Sequence, residues 1–371
     1  MATVKNSLLE KIRKRSTIKE ADVLTTSKFF TKKDMIKTNI PAFNIALSGE
    51  VDGGFIPGLT LWAGPSKHFK TLFSLLMAKA YMDKYPDAVL ILFDCEFGSP
   101  LQYFTSIGID TDRVIHIPIM NMEEFKFEAI NQLTNLERGE KVIMVVDSLG
   151  NMSSKKELDD AIDGKSTQDL TRAKQMKSIF RMITPYLTKL DIPMVAVAHI
   201  YMTQEMYSKA VVSGGTGIYL SADNIYILGR QQEKDGTDLL GWNFIINIEK
   251  SRHVREKAKI PITVKFDSGI SKWSGLLDMA LEAGAVVKPS QGWYSRVNME
   301  TGEVEDKKYR AKDTDNKEFW MPILLSQSFR DWVKNTYKVG MGDLLSDDTK
   351  DIPNASDEID DTDDLLFETH E

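Results

Sequence analysis

Apolar residues in this chain fall into short unbroken runs, each closed by a polar or glycine residue, with helical patterns between several of them. Leu59 to Ala63 runs into Gly64, Val89 to Phe93 ends at Asp94-Cys95-Glu96, and Val142 to Val146 ends at Asp147-Ser148. Further along, Met194 to Ala198 ends at His199, Asn224 to Leu228 at Gly229-Arg230, and Asn243 to Ile248 at Glu249-Lys250. Continuous runs of this length predict strands buried on both faces. Leu72 to Tyr81, Met122 to Glu137 and Leu170 to Leu187 carry helical patterns. Strands alternating with helices predict an α/β fold on a mainly parallel central sheet. Polar residues gather at the carboxyl ends of the strands, where open α/β sheets bind their ligands.

Two stretches break the pattern. Gly150 to Thr167 is rich in Ser, Lys, Asp and Gly, and Ile200 to Gly217 contains Ser213-Gly-Gly-Thr-Gly217. Long irregular segments at the carboxyl edge of a sheet predict functional loops or disorder. Beyond Gly269 the pattern becomes that of a small mixed α+β module, with a helix over Trp273 to Gly284, a strand over Trp293 to Arg296 and a last helix over Phe329 to Tyr337. The expected division is a basic arm over 1–38, an α/β core over 39–269 with loops near 150–167 and 200–217, a small C-terminal domain over 270–342 and an acidic tail over 343–371.

Charge makes this division sharper. Of the formal net charge of −7, residues 343–371 supply −11, from twelve acids and one lysine, which leaves +4 on the rest. Residues 1–40 hold ten Lys or Arg against four acids. A basic arm and an acidic tail suggest a protein that handles a polyanion and carries a competitor for its own basic surface, or two solvated ends that keep the chain soluble. Asp347 to Asp364 has too few large apolar residues to pack, so disorder is expected there. No apolar run approaches the roughly 20 residues of a membrane helix. Met1 to Arg15 lacks the apolar stretch of a secretory signal, so a cytoplasmic protein without membrane contact is expected. The lone Cys95 excludes an internal disulfide and a cysteine-rich zinc site, and reads as a small core residue.

The chemistry centres on Gly64-Pro65-Ser66-Lys67-His68-Phe69-Lys70-Thr71, between the first strand and the first long helix. Strand, loop and helix in that order direct backbone N–H groups, a lysine and a hydroxyl at a nucleotide's phosphates. The usual pattern, G-x-x-x-x-G-K-[ST], has glycine where Phe69 stands, at a position that favours φ freedom and close approach. A chance glycine-lysine turn is the alternative. In the functional reading Thr71 ligates Mg2+ and Lys70 neutralises β- and γ-phosphate oxygens. Asp147 either reaches the same metal or caps a helix. Glu96 lies where a doubly wound sheet brings it beside the loop, to polarise an attacking water or to cap the helix through Leu101 and Tyr103. His199 is either a γ-phosphate sensor or a satisfied strand-end histidine. Lys250 and Arg252 can reach a nucleotide held between subunits, or form part of a solvated basic face.

Together these residues resemble the RecA family of strand-exchange recombinases, and most closely the UvsX-type recombinases of tailed phages. Gly64 to Thr71, Phe93 to Gly98 with Tyr103, Val145 to Ser148, Ser213 to Gly217, Gly275 to Ala280 and Gly292 to Ser295 carry the RecA-like likeness. Ser27 to Phe30, Ile45 to Glu50, Asp147 to Asn151 and Arg310 to Thr314 look characteristic of the phage branch, which shares Phe69. The resemblance implies a RecA-like P-loop NTPase core with an N-terminal oligomerisation arm that docks on the neighbouring subunit. It further implies a DNA-dependent ATPase that uses ATP and Mg2+, forms a helical homo-oligomeric filament on single-stranded DNA, and pairs it with homologous duplex. By the same likeness Glu96 is the catalytic glutamate, Tyr103 stacks on adenine, and His199 stands where bacterial RecA has a sensing glutamine. Lys250 and Arg252 match the pair that acts across the protomer interface, and segments 150–167 and 200–217 match the DNA-binding loops. Within them Lys155, Lys156, Lys165 and Lys209 can contact the DNA backbone, and Met202, Met206 and Tyr207 offer apolar or stacking contacts. A single-strand-binding protein and a recombination mediator are expected partners. A ring helicase and a non-enzymatic single-strand-binding mediator are the rival readings.

Overall fold

The structure is a computed structural model that describes residues 7–30, 33–165, 171–203, 210–213 and 215–340. Its strands are β1 (Gly58–Ala63), β2 (Val89–Asp94), β3 (Val114–Pro118), β4 (Val142–Asp147), β5 (Pro193–Ala198), β6 (Ile200–Met202), β7 (Ala210–Val212), β8 (Asn224–Asp235), β9 (Asp238–Lys250), β10 (Lys259–Lys265), β11 (Gly269–Ile270), β12 (Val286–Ser290), β13 (Trp293–Arg296) and β14 (Tyr309–Arg310). Its helices are α1 (Ser7–Arg15), α2 (Pro41–Ser48), α3 (Lys70–Lys84), α4 (Leu101–Ile107), α5 (Met122–Asn135), α6 (Lys155–Ile162), α7 (Thr171–Leu190), α8 (Thr216–Ser221), α9 (Leu276–Glu282), α10 (Lys317–Leu325) and α11 (Gln327–Tyr337).

Nine strands form one sheet in the order β11-β10-β9-β8-β1-β5-β4-β2-β3. From β8 to β3 every neighbouring pair is parallel, whereas β9, β10 and β11 continue the sheet antiparallel. The six apolar runs therefore form the interior, as their unbroken character predicts. The additions toward either edge depart from that pattern. β3 is half-exposed and carries His116 in its middle, and β10 alternates buried with open positions.

Two hydrophobic cores lie against the two faces of the sheet, and β1 feeds both by alternation. Trp62 enters the first core, stacked 4.5 Å from Tyr226 and 5.2 Å from Phe73, with Phe43 at 5.7 Å. Leu59, Leu61 and Ala63 enter the second, with Phe125 of α5 and Met176 and Phe180 of α7. The described residues through Lys338 form one compact unit. Within it Leu276, Phe319, Trp320 and Phe329 of the C-terminal elements belong to the first core.

The two stretches expected to be irregular are partly ordered. Residues 150–167 contain α6, whose N-terminus is capped by Ser154 Oγ accepting from Glu157 N at 3.0 Å. Only Leu158 and Ile162 mark its apolar spacing, and both are exposed, so the cap rather than a buried face signals the helix. The other stretch contributes two short strands, β6 and β7, paired antiparallel and too brief for their pattern to be read.

Candidate functional site

β1 ends at Ala63, and the chain turns through Gly64 to Phe69 into α3. Phe69 is the N-cap and sits in the left-handed region at φ 55°, ψ 28°, the conformation that favours glycine. Its ring compensates by packing 5.1 Å from Phe244. Backbone strain and ring burial thus oppose each other. Phe69→Ala, which keeps the strain and loses the ring, is expected to cost about 2 kcal/mol of stability, and Phe69→Gly only about 1 kcal/mol. Denaturant melts of the two variants check the order.

β1, β5, β4 and β2 lie side by side, so their carboxyl ends bring distant residues together. Asp94 and Asp147 are direct register partners. Asp94 Oδ1 accepts from Glu96 N at 3.1 Å and Phe97 N at 2.8 Å, which fixes the turn that presents Glu96. Asp94 Oδ2 meets His116 Nε2 at 3.1 Å. Glu96 does not cap α4, whose N-cap is Pro100. Instead Glu96 Oε1 accepts from Ser148 Oγ at 2.5 Å and Asn151 Nδ2 at 3.0 Å, with His199 Nε2 at 3.1 Å. The other ring nitrogen of His199 lies 3.5 Å from Lys70 Nζ, which donates to Pro65 O at 2.9 Å. Lys70, His199 and Glu96 are thus one connected line.

Asp147 takes no helix-capping role. Its Oδ2 accepts from Thr71 Oγ1 at 2.7 Å, while Oδ1 is buried without a hydrogen-bond partner. Burial first, then the nearby Glu96 and Asp94 charges, push its carboxyl up to about 6 against the Thr71 hydrogen bond. An orphaned carboxylate oxygen beside a hydroxyl is an oxygen donor set that suits a hard divalent cation. The peptide between Asp147 and Ser148 is cis. Burial also pushes the Cys95 thiol up to about 12, in keeping with an inert side chain.

Ser66 to Thr71, Glu96, Tyr103, Asp147 and His199 line a single cavity of about 710 Å³. Tyr103 forms part of its wall, and burial pushes its phenol up to about 12. Arg230 and Trp242 are among the further residues that line the cavity. The Arg230 guanidinium stacks 4.0 Å over the Trp242 ring and donates to Lys67 O at 3.2 Å. In the sequence Arg230 stands out as the polar end of its apolar run, whereas Trp242, on the next strand, has no comparable signal.

Lys250 and Arg252 are elsewhere. β9 runs antiparallel to β8, and Lys250 pairs with Ile225 near the amino end of β8. Lys250 Nζ donates to Tyr219 O at 2.9 Å, and Arg252 pairs with Asp223 at 2.9 Å. Through Ile225 that level meets Leu61 of β1, three residues before the phosphate loop, roughly 10 Å along the strand and two strands away across the sheet. Among the expected DNA contacts, Lys155 and Lys156 open α6, Lys165 pairs with Asp163, and Met202 ends β6 with its side chain exposed. Met206, Tyr207 and Lys209 lie outside the described residues.

A phosphate loop leaving the strand between β5 and β8, an aspartate closing β4 and a glutamate just beyond β2 define a P-loop core of the RecA type. Sequence comparison narrows the class. The recombination and repair protein of Enterobacteria phage T4 is 52% identical over 339 residues, covering 90% of this chain and 87% of that protein. The chain belongs to the family of that phage protein, the UvsX-type recombinases. The profile for the C-terminal domain of the phage T4 recombination and repair protein matches residues 273–333. Protein RecA of a Nocardioides species is 23% identical over 320 residues, with 85% of this chain and 86% of that protein covered. Protein RecA of Chloroherpeton thalassium is 27% identical over 250 residues, covering 65% and 66%.

Proposed function

We propose that the chain is an ATP-dependent DNA recombinase that forms a helical filament on single-stranded DNA and catalyses homologous pairing and strand exchange. The observation that carries this reading is the convergence of Lys70, Thr71, Glu96, Asp147 and His199 in one cavity on a RecA-type sheet edge. The loop from Gly64 to Thr71 receives the phosphates of ATP at the N-terminus of α3. Thr71 Oγ1 and Asp147 would hold Mg2+, which neutralises phosphate oxygens. Lys70 adds its charge to the same oxygens, and Tyr103 offers its ring to the base. Glu96 orients a water whose oxygen bonds to the γ-phosphorus as the bond to the bridging oxygen breaks, and its carboxylate takes the water's proton. His199, between Lys70 and Glu96, is suited to sense the γ-phosphate.

Lys250 and Arg252, outside the cavity of their own subunit, serve a neighbour's nucleotide. The basic arm over 1–38 docks on the adjoining subunit. Segments 150–167 and 200–217 contact the strand, and 270–342 forms a small C-terminal domain. No helix among the described residues is long and apolar enough to cross a membrane. A single-strand-binding protein and a mediator complete the expected partners.

Asp147 supplies a pH test. Its folded carboxyl titrates near 6, above its ordinary 3.8, so the stability it contributes is fully present below about pH 4 and is lost as pH rises through about 6. Asp147→Asn should flatten the fall in melting temperature between those values in the absence of nucleotide, and should abolish the extra stabilisation that Mg2+ adds to ATP.

The function itself is tested by ATP hydrolysis with and without single-stranded DNA, alongside joint formation with homologous and heterologous duplex. DNA-stimulated turnover with joints only to the homologous duplex is expected. Unwinding without homology dependence would mean a helicase, and DNA binding without turnover a mediator.

A further inference from the structure

Glu96 is tied to the 150–167 segment by a residue to which the proposed mechanism gives no task. Asn151 Nδ2 donates to Glu96 Oε1 at 3.0 Å, the oxygen that also meets Ser148 and His199. Asn151 closes a short turn, Leu149–Asn151, whose flanking side chains Leu149 and Met152 are buried. Arg172 of α7 pins that turn from behind. It donates to the carbonyls of Gly150 at 2.6 Å, Met152 at 3.1 Å and Leu149 at 3.4 Å. A Cβ built on Gly150 would stand 2.7 Å from His199 Cδ2, so the turn also packs directly on the histidine.

The turn leads at once into α6. Ser154 caps that helix, and Lys155 N donates to Glu123 Oε2 at 2.9 Å. Glu123 Oε1 in turn accepts from Gln175 Nε2 at 2.7 Å. Between the first residue of α6 and the Asn151 amide there are only three intervening residues, two of them buried, so a tilt of the helix reaches that amide with little slack. A donor on a carboxylate oxygen stabilises its charged form and weakens it as a proton acceptor.

We propose that Asn151 is a positioning residue that restrains Glu96 until single-stranded DNA engages the 150–167 segment, an inference that rests on the recombinase reading. With the segment free, the Asn151 amide, beside Ser148 and His199, holds Oε1 and fixes the carboxylate to the turn. When DNA shifts α6, the amide withdraws and the carboxylate, held then by Ser148 and His199, is freer to turn to the water. The asparagine acts through Glu96 and touches neither the nucleotide nor the attacking water.

Asn151 is exposed, so Asn151→Ala leaves the packing of the turn in place. ATP turnover without DNA is expected to rise by about tenfold, the scale of one hydrogen bond to a charged group. Turnover at saturating single-stranded DNA should stay within about twofold, and oligonucleotide affinity by anisotropy should not change; the DNA-stimulation ratio therefore collapses. Asn151→Asp, which sets a like charge against Glu96 in place of the donor, should also lose the ratio. An unchanged ratio in Asn151→Ala, or an equal fall of both rates, overturns the proposal. Wild-type protein that hydrolyses no ATP in either condition overturns the ATPase reading and this inference with it, whereas stimulated wild-type turnover with an unaltered variant overturns this inference alone.

Discussion

Lys70→Ala loses ATP turnover by at least about 10²–10³-fold, the scale for deleting one preorganised donor aimed at developing negative charge. The reason lies in how the ammonium is held. Lys70 is only 6% exposed and forms no ion pair among the described residues, its contacts being Pro65 O and His199 Nδ1. Burial pulls it below its ordinary value, opposed by the Glu96 and Asp147 charges. A buried cation without a contacting carboxylate is poised for an incoming anion. The same feature makes a second expectation. Without nucleotide, removing an uncompensated charge relieves a desolvation cost, so the melting temperature of Lys70→Ala should hold or rise. A variant that has lost turnover because it is unfolded would melt early, and the two explanations separate on that measurement.

Glu96→Gln keeps nucleotide binding and lowers turnover by about 10²–10⁴-fold, the contribution of a positioned general base. The carboxamide still accepts from Ser148 and Asn151, so the side chain stays in place; what disappears is the capacity to take a proton. Binding of a fluorescent ATP analogue should remain within about threefold of wild type, as expected when a group acts only in the transition state. Normal hydrolysis by Glu96→Gln would show that the water is activated elsewhere, and Asp94, two residues earlier at the end of β2, would become the group to test.

The central strands, the phosphate loop and the cluster of strand-end carboxylates could all be read from the chain. A strand buried on both faces must be apolar throughout, so its polar terminus stands out, and in a parallel sheet those termini share one edge. β3 was not legible because its outer face is open and His116 interrupts the run, and α6 was not legible because a solvated helix needs little apolar periodicity. The contacts that tune the site were hidden for another reason. Arg230 reaches Lys67 across 163 residues, and Asn151 reaches Glu96 across 55. No local pattern encodes such a pairing; it follows only once strand order and register are known.

The proposed nucleotide cradle opens at the carboxyl ends of the parallel strands, whereas Lys250 and Arg252 lie outside it, Arg252 paired with Asp223 just before β8. Protomers joined so that one cradle faces the next subunit's cations make a heterologous contact, which generates an open polymer rather than a closed pair. Such a polymer has two unlike tips. One ends on a cradle that no neighbour's cations complete, and the other on cations with no cradle to fill. Subunits at the two tips should then lose nucleotide and dissociate at different rates, giving growth a direction that originates inside a single folded chain.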